Sequence, residues 1–284
     1  MSTAIAIRQG PFGRVALLDI DRPVVAHAHP HCHVLFKIDG ADSEFRVRDR
    51  LYPLAAGTAV AVNSWAPHAY PHPAELPRSL VLALYVEPAW LARLDRVFAL
   101  SGRPEFFRAP CFDVPTSVRR RAAAMAEALL GDAPPAASEA LLLELMIAVI
   151  DNASEWRRLN AARHSISRAR DFRVLDFRVR RALDHLGARV GEHVPSEELA
   201  RAAGLSRAHL FALFAHDTGL TPRLYANVLR MEHAYRRLAD SAGTIVLLAR
   251  ELGFAAPPHF TRFFRDHLGV SPSAYRRFVA AQGA

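Results

Sequence analysis

The chain of 284 residues has only two cysteines, Cys32 and Cys111, and of its 36 basic residues Lys37 alone is a lysine. Two thiols cannot build a disulfide framework, so a reduced, cytoplasmic setting is the expectation. No stretch approaches the ~20 apolar residues that span a bilayer, and the first residues lack the charged-then-apolar pattern of a secretory signal. No membrane role is expected. The sequence also lacks a nucleophile–base arrangement and a glycine-rich phosphate cradle, which leaves the commonest enzyme classes without support.

Positive charge is abundant. The formal net charge is +8 with a pI near 10.3, the direction expected of a polyanion binder. It is also concentrated: Phe172 to Ala284 carries 16 arginines against 10 acidic residues. With 51% hydrophobic residues, the chain is long enough for about two packed domains.

Residues 1 to about 86 read as β structure. Short segments rich in Val, Leu and Phe (Arg14–Ile20, Val34–Ile38, Glu44–Arg48, Thr58–Val62 and Ser79–Val86) are punctuated by Gly, Pro, Asn and Asp. That spacing predicts a small barrel or jelly roll. Helices are expected from Pro88 to about Leu100 and from Ser117 to Leu130. Asp132–Ala137 then reads as a loop, and Ser138 as the cap of a helix from Glu139 to about Leu159. This last helix has apolar residues on nearly every side, so its burial is expected either in the chain's own core or against a second copy. The basic, non-periodic stretch Arg157–Arg173 reads as a linker. The predicted organisation is therefore α+β: a β barrel over 1–112, a helical dimerisation segment over 113–160, a linker over 161–175, and an all-α domain over 176–284.

The last of these contains a repeat. Gly219-Leu220-Thr221-Pro222-Arg223-Leu224-Tyr225 is answered fifty residues later by Gly269-Val270-Ser271-Pro272-Ser273-Ala274-Tyr275. Before each lies an Ala-x3-Gly step and an aromatic-rich helix, so one supersecondary unit is used twice. In the first unit Gly204 supplies a tight turn, Ser206 caps the next helix, and Leu210, Leu213 and Phe214 face inward. In the second, Thr244 caps, Gly253-Phe254 turns, Pro257 or Pro258 starts the second helix, and Phe260, Phe264 and Leu268 are core. Two helix-turn-helix units result, joined by a helix of ~19 residues, or ~28 Å, starting at Pro222. Successive major grooves on one face of B-form DNA lie roughly 34 Å apart. The outward candidates for DNA contact are Ser206, Arg207, Ala208, Phe211 and Ala212 in the first unit, and Pro258, Thr261, Arg262 and Arg265 in the second. Arg230 is a candidate on the connecting helix.

This segment, about 176–278, resembles the C-terminal domain of AraC-type (AraC/XylS) transcriptional regulators. The resemblance rests on Leu199-Ala200-x3-Gly204-Leu205-Ser206-Arg207-x-His209-Leu210, on Gly253-Phe254-x4-His259-Phe260-x-Arg262-x-Phe264, and on both Pro-x-x-Tyr tails. It implies a seven-helix reader of double-stranded promoter DNA, with a small-molecule effector, a homodimer and RNA polymerase as partners. In that family, polar side chains commonly read bases from the positions of Ala208, Phe211, Ala212, Pro257, Pro258 and Arg262; here Arg262 alone keeps a strong hydrogen-bonding group.

A second motif lies in the β region: His27-Ala28-His29-Pro30-His31-Cys32-His33, with His68 further on. His27 and His29 are expected on one face of a strand, while Cys32 points the other way. His27, His29, His33 and His68 form a candidate site for a divalent transition metal; His31 and His72 are expected to be bystanders. The spacing resembles the first motif of cupin barrels, with His33 where a Glu is usual. It leaves two function classes to separate: a transcription factor with a cupin-like sensor, and a metal-dependent barrel enzyme of dioxygenase or isomerase type.

Overall fold

The computed structural model describes residues 3–73, 75–94, 101–102, 105–131, 133–154, 175–240 and 243–280. The predicted linker over 161–175, Leu175 apart, lies outside these. In chain order the elements are β1 (Thr3–Gly10), β2 (Gly13–Ile20), β3 (Val24–His27), β4 (Cys32–Gly40), β5 (Ser43–Val47), β6 (Arg50–Leu54), β7 (Thr58–Val62), β8 (His68–Tyr70), β9 (Ser79–Val86), α1 (Pro88–Leu94), β10 (Cys111–Asp113), α2 (Thr116–Leu130) and α3 (Pro135–Ala153). After the linker come α4 (Phe177–Gly187), α5 (Ser196–Ala203), α6 (Arg207–Thr218), α7 (Pro222–Ala239), α8 (Ile245–Glu251), α9 (Pro257–Leu268) and α10 (Pro272–Ala280).

The strands make two antiparallel sheets, one ordered β1-β2-β9-β4-β7-β10 and one ordered β3-β8-β5-β6. Strand β5 alternates cleanly: Ser43, Phe45 and Val47 are buried, Glu44 and Arg46 exposed. The central strands of the larger sheet are apolar on both faces, because each face is covered. Ala16, Leu35, Ala83 and Tyr85 share a core with Phe45, Leu54 and Tyr70 of the smaller sheet. Val15, Val34, Phe36 and Leu84 pack instead against Trp90, Met125, Leu142 and Met146 of α1–α3. The near-continuous apolar surface of α3 is thus used largely within the chain, although Ile147 on α3 and Leu130 at the end of α2 remain 44% and 60% exposed.

Two expectations need correction. Helix α3 begins at Pro135, with Pro134 at its N-cap, and not after Ser138. Proline fixes the helical φ and lacks only an N–H that would have no partner in the first turn. Ser138 is buried one turn in, where its hydroxyl accepts from Arg8 Nη1 at 2.7 Å. Between the predicted helices, Cys111–Asp113 also pairs with β7 as an edge strand.

The C-terminal helices pack directly on the barrel. Met231, Tyr235, Phe260, Phe264 and Tyr275 belong to the same buried cluster as the inner faces of both sheets. The Arg14 guanidinium is buried between the rings of Tyr85 and Tyr235, 3.9 and 4.1 Å from their centroids, a strong cation–π arrangement in a dry setting. The Tyr275 hydroxyl donates to Gln9 Oε1 at 2.5 Å.

Candidate nucleic-acid interface and imidazole cluster

Local chemistry builds the two reading units as their sequences require. Gly204 closes α5 in the left-handed region at φ 70°, and the Ser206 hydroxyl accepts from the His209 N–H to start α6. Leu210 and Phe214 are fully buried, Leu213 partly. Thr221 and Thr244 cap α7 and α8 through the N–H groups of Leu224 and Leu247. In the second unit Gly253 turns at φ 76°, and Phe260, Phe264 and Leu268 are buried. Helix α7 has 18 residues, a rod of ~27 Å.

Of the predicted contact residues, Ser206, Arg207, Ala208, Ala212, Pro258 and Arg262 are exposed, and Phe211, Thr261 and Arg265 half-buried. Arg207 Nη1 bonds Glu197 Oε1 at 3.1 Å across the open surface, a pair that phosphate can displace at little cost. Arg230 is placed differently. Its Nη2 donates to the Glu192 carbonyl at 3.0 Å, pinning the loop between α4 and α5 onto α7. In the same place the two units touch backbone to backbone, since a Cβ on Gly253 would lie 1.9 Å from the Gly191 carbonyl oxygen.

The four candidate ligands also converge. Ring nitrogens of His27, His29 and His68 all lie within 4.8 Å of one another. His33 Nδ1 is 3.3 Å from both His29 Nε2 and His68 Nε2. Backbone carbonyls fix three tautomers, because a carbonyl only accepts. His27 Nδ1 donates to Val25, His29 Nδ1 to His31 and His68 Nδ1 to Ala66, which leaves each Nε2 with a lone pair. Burial holds all four rings neutral: His27, His29 and His33 titrate well below the ordinary value, and His68 is lowered to about 4. Neutral imidazoles with carbonyl-anchored Nδ1–H groups are the donor set a transition metal takes. A tetrahedral ion with metal–nitrogen bonds of about 2.0–2.1 Å sets its ligands about 3.3 Å apart. The residues fit such an ion. His33 Nε2 is buried without a hydrogen-bond partner among the described residues, so that ring is held by its Nδ1 contacts with His29 and His68 and by stacking on Tyr85 at 4.1 Å.

One detail corrects the sequence reading. Strand β3 ends at His27, so His29 reaches the cluster from the following loop and not from the same strand face. Cys32 does point to the opposite side, buried with Val34 and Leu84 and its thiol pushed up to about 12 by burial. His72 stacks on Tyr70 outside the cluster. His31 is less of a bystander than expected: it lies 3.5 Å from Glu87 and 3.9 Å from Glu232 of α7.

Sequence reasoning missed His267, Glu232 and Arg14. His267, on α9, is 8% exposed, and its ring centroid is 6.3 Å from that of His27. Its signal was available, since 260, 264, 267 and 268 form one apolar stripe at helical spacing. Glu232 is a carboxyl raised by burial to about 7. A small cavity between barrel and helices is lined by His27, His29, Met231, Glu232, Tyr235 and His267.

Residues 199–277 match the family model described as a helix-turn-helix domain. Over 98 residues the chain is 30% identical to the lactose operon transcription activator of Staphylococcus xylosus, covering 34% of this chain and 35% of that protein. Over 101 residues it is 33% identical to the MmsAB operon regulatory protein of Pseudomonas aeruginosa, covering 34% and 33%. The matches thus span about a third of the length of these curated relatives. Almost the whole fold is similar to solved ToxT from Vibrio cholerae, with a TM-score of 0.52 at 11% identity over 96% of this chain and 98% of that one; the likeness is one of architecture. The C-terminal segment is a helix-turn-helix DNA-binding domain shared with transcriptional regulators, and the resemblance to AraC-type regulators drawn above falls on the same residues. Among the described residues, no helix is long and apolar enough to cross a membrane.

Proposed function

We propose that this chain is a transcriptional regulator of AraC type, in which a cupin-like N-terminal barrel senses an effector and two helix-turn-helix units read promoter DNA. The observation carrying this reading is the pair of units at either end of a ~27 Å helix, with the N-terminal turns of α6 and α9 exposed. The first turn of α6 offers the Arg207 and Ala208 N–H groups to a phosphate, while α9, which opens on Pro257 and Pro258 and so lacks two of its first N–H groups, offers side chains to base edges. Because Ala208, Phe211, Ala212 and Pro258 carry no strong hydrogen-bonding group, the first unit positions the protein and the second reads through Arg262, suited to a guanine edge.

The barrel's sensing site is the imidazole cluster. His27, His29, His33 and His68 would hold a divalent transition metal, which supplies a fixed local charge. Binding would bias the balance between arrangements of the two domains that differ in DNA affinity. The exposed Leu130 and Ile147 mark the α2–α3 surface for a homodimer, and RNA polymerase is the partner a promoter-bound activator would meet. The enzymatic alternative rests on the four histidines alone, whereas the matched relatives are named as regulators.

The test is a mobility-shift titration of the full-length protein on fragments upstream of its own and neighbouring genes, with random duplex as competitor across a salt series. Preference for one fragment by a factor of ~10³ or more over random duplex is expected. Equal affinity for all duplexes would overturn the reading.

A further inference from the structure

The imidazole cluster is open toward the DNA-reading domain. Two of its rings, His27 and His29, line the cavity and carry Nε2 lone pairs, and the wall opposite them belongs to α7 and α9. There, His267 Nδ1 donates to the Phe263 carbonyl at 2.7 Å, which leaves its Nε2 with a lone pair as well. The ring leans on Phe263, 4.2 Å between centroids at a tilt of 43°, and lies beside His27. It is therefore a fourth imidazole with a carbonyl-anchored Nδ1 and a lone pair on Nε2, carried by the helix that bears Arg262 five residues earlier.

We propose that His267 is a ligand supplied in trans, from the DNA-reading domain to the barrel's metal ion, so that metal occupancy clasps α9 to the barrel. A divalent transition metal held by the four barrel imidazoles would expand its coordination to take His267 Nε2 from this wall. Glu232, on the same wall, offers the carboxylate that balances part of the added charge. The bound metal then favours the docked arrangement, and release frees the DNA-reading domain from the barrel to engage DNA. Metal should accordingly weaken DNA binding, and DNA should weaken metal binding by the same factor.

The inference rests on the reading of the cluster as a metal site, and the experiment separates the two. Full-length protein, stripped with chelator, is titrated with Zn²⁺ and Co²⁺. Affinity, the visible Co²⁺ spectrum and hydrogen exchange across residues 257–268 are followed in wild type, His267→Asn and His68→Ala. The carboxamide introduced by His267→Asn keeps a donor for the Phe263 carbonyl but loses the Nε2 lone pair. Expected are a loss of affinity of at least ~10-fold in His267→Asn, comparable to the effect of disturbing a ligand's support, a changed Co²⁺ spectrum, and metal-induced protection of α9 in wild type only. Wild-type affinity and spectrum retained in His267→Asn, with His68→Ala defective, would overturn the role of His267 and leave the barrel site standing. Absence of binding by wild type would remove the metal reading itself, and the inference with it.

Discussion

Replacing three glycines one at a time separates two costs that the reading domain carries together. Gly204 sits at φ 70° in open space, so an added methyl there meets only the conformational penalty. That penalty is roughly 1–2 kcal/mol, partly offset by about 0.4–1 kcal/mol from a stiffer unfolded chain. Gly191 is the converse: its φ is ordinary, but a Cβ would lie 1.9 Å from the Glu251 carbonyl oxygen. Restoring van der Waals contact would force the α4–α5 loop and the α8–α9 turn well over 1 Å apart, at the ~1–3 kcal/mol typical of overpacking. Gly253 carries both burdens, with φ 76° and the Gly191 carbonyl oxygen 1.9 Å away. Gly204→Ala should therefore cost about 1 kcal/mol, Gly191→Ala about 2 and Gly253→Ala about 3, with melting shifts in that order at ~2 °C per kcal/mol. Urea denaturation and a melting curve measure all three. The two contact variants should also bind DNA worse than their stability loss explains, because that junction sets the spacing of the units. If Gly253→Ala melts together with Gly204→Ala and Gly191→Ala is neutral, the backbone contact does not hold the units in register.

Arg262→Ala should cost ~1–3 kcal/mol at a single base pair of the operator, whereas Arg207→Ala should weaken all duplexes alike and lower the salt slope by about 1; binding to a set of operator point variants checks both. The Glu232 carboxyl titrates near 7 in the folded chain against an ordinary 4.5, facing His31, Arg14, Arg236 and Glu87. A raised carboxyl contributes stability below pH 4.5 that is lost as pH rises through 7, here by up to roughly 3 kcal/mol. Urea midpoints at pH 5 and pH 8 should therefore differ less in Glu232→Gln than in wild type, and an unchanged difference would contradict its burial. Arg14→Leu leaves Tyr85 and Tyr235 without their shared cation and should loosen the barrel from α7, read as faster hydrogen exchange in both Tyr-bearing segments.

The reading domain was legible because its information is local. Caps at Ser206 and Thr244, turns at Gly204 and Gly253, and apolar residues at helical spacing are decided within a few residues, and each lies where the pattern put it. The imidazole cluster was half legible: the four residues were named, but His29 arrives from a loop. Short strands such as β3, β8 and β10, of three or four residues, carry too little periodicity to register. The start of α3 was misplaced because Ser138 looks like a cap, while Arg8, 130 residues distant in the chain, claims its hydroxyl. His267, Glu232 and Arg14 acquire their meaning only through tertiary packing, which no window of sequence contains.

The unbroken apolar seam from the sheets into α7, α9 and α10 governs how this molecule can be taken apart. Cutting between 154 and 175 would strip Tyr235 and Tyr275 of the Arg14 side chain they surround, so neither fragment is a faithful surrogate of its half. Heating should accordingly produce one calorimetric peak in place of two, and a reporter fused after residue 154 would sample a barrel with its floor removed.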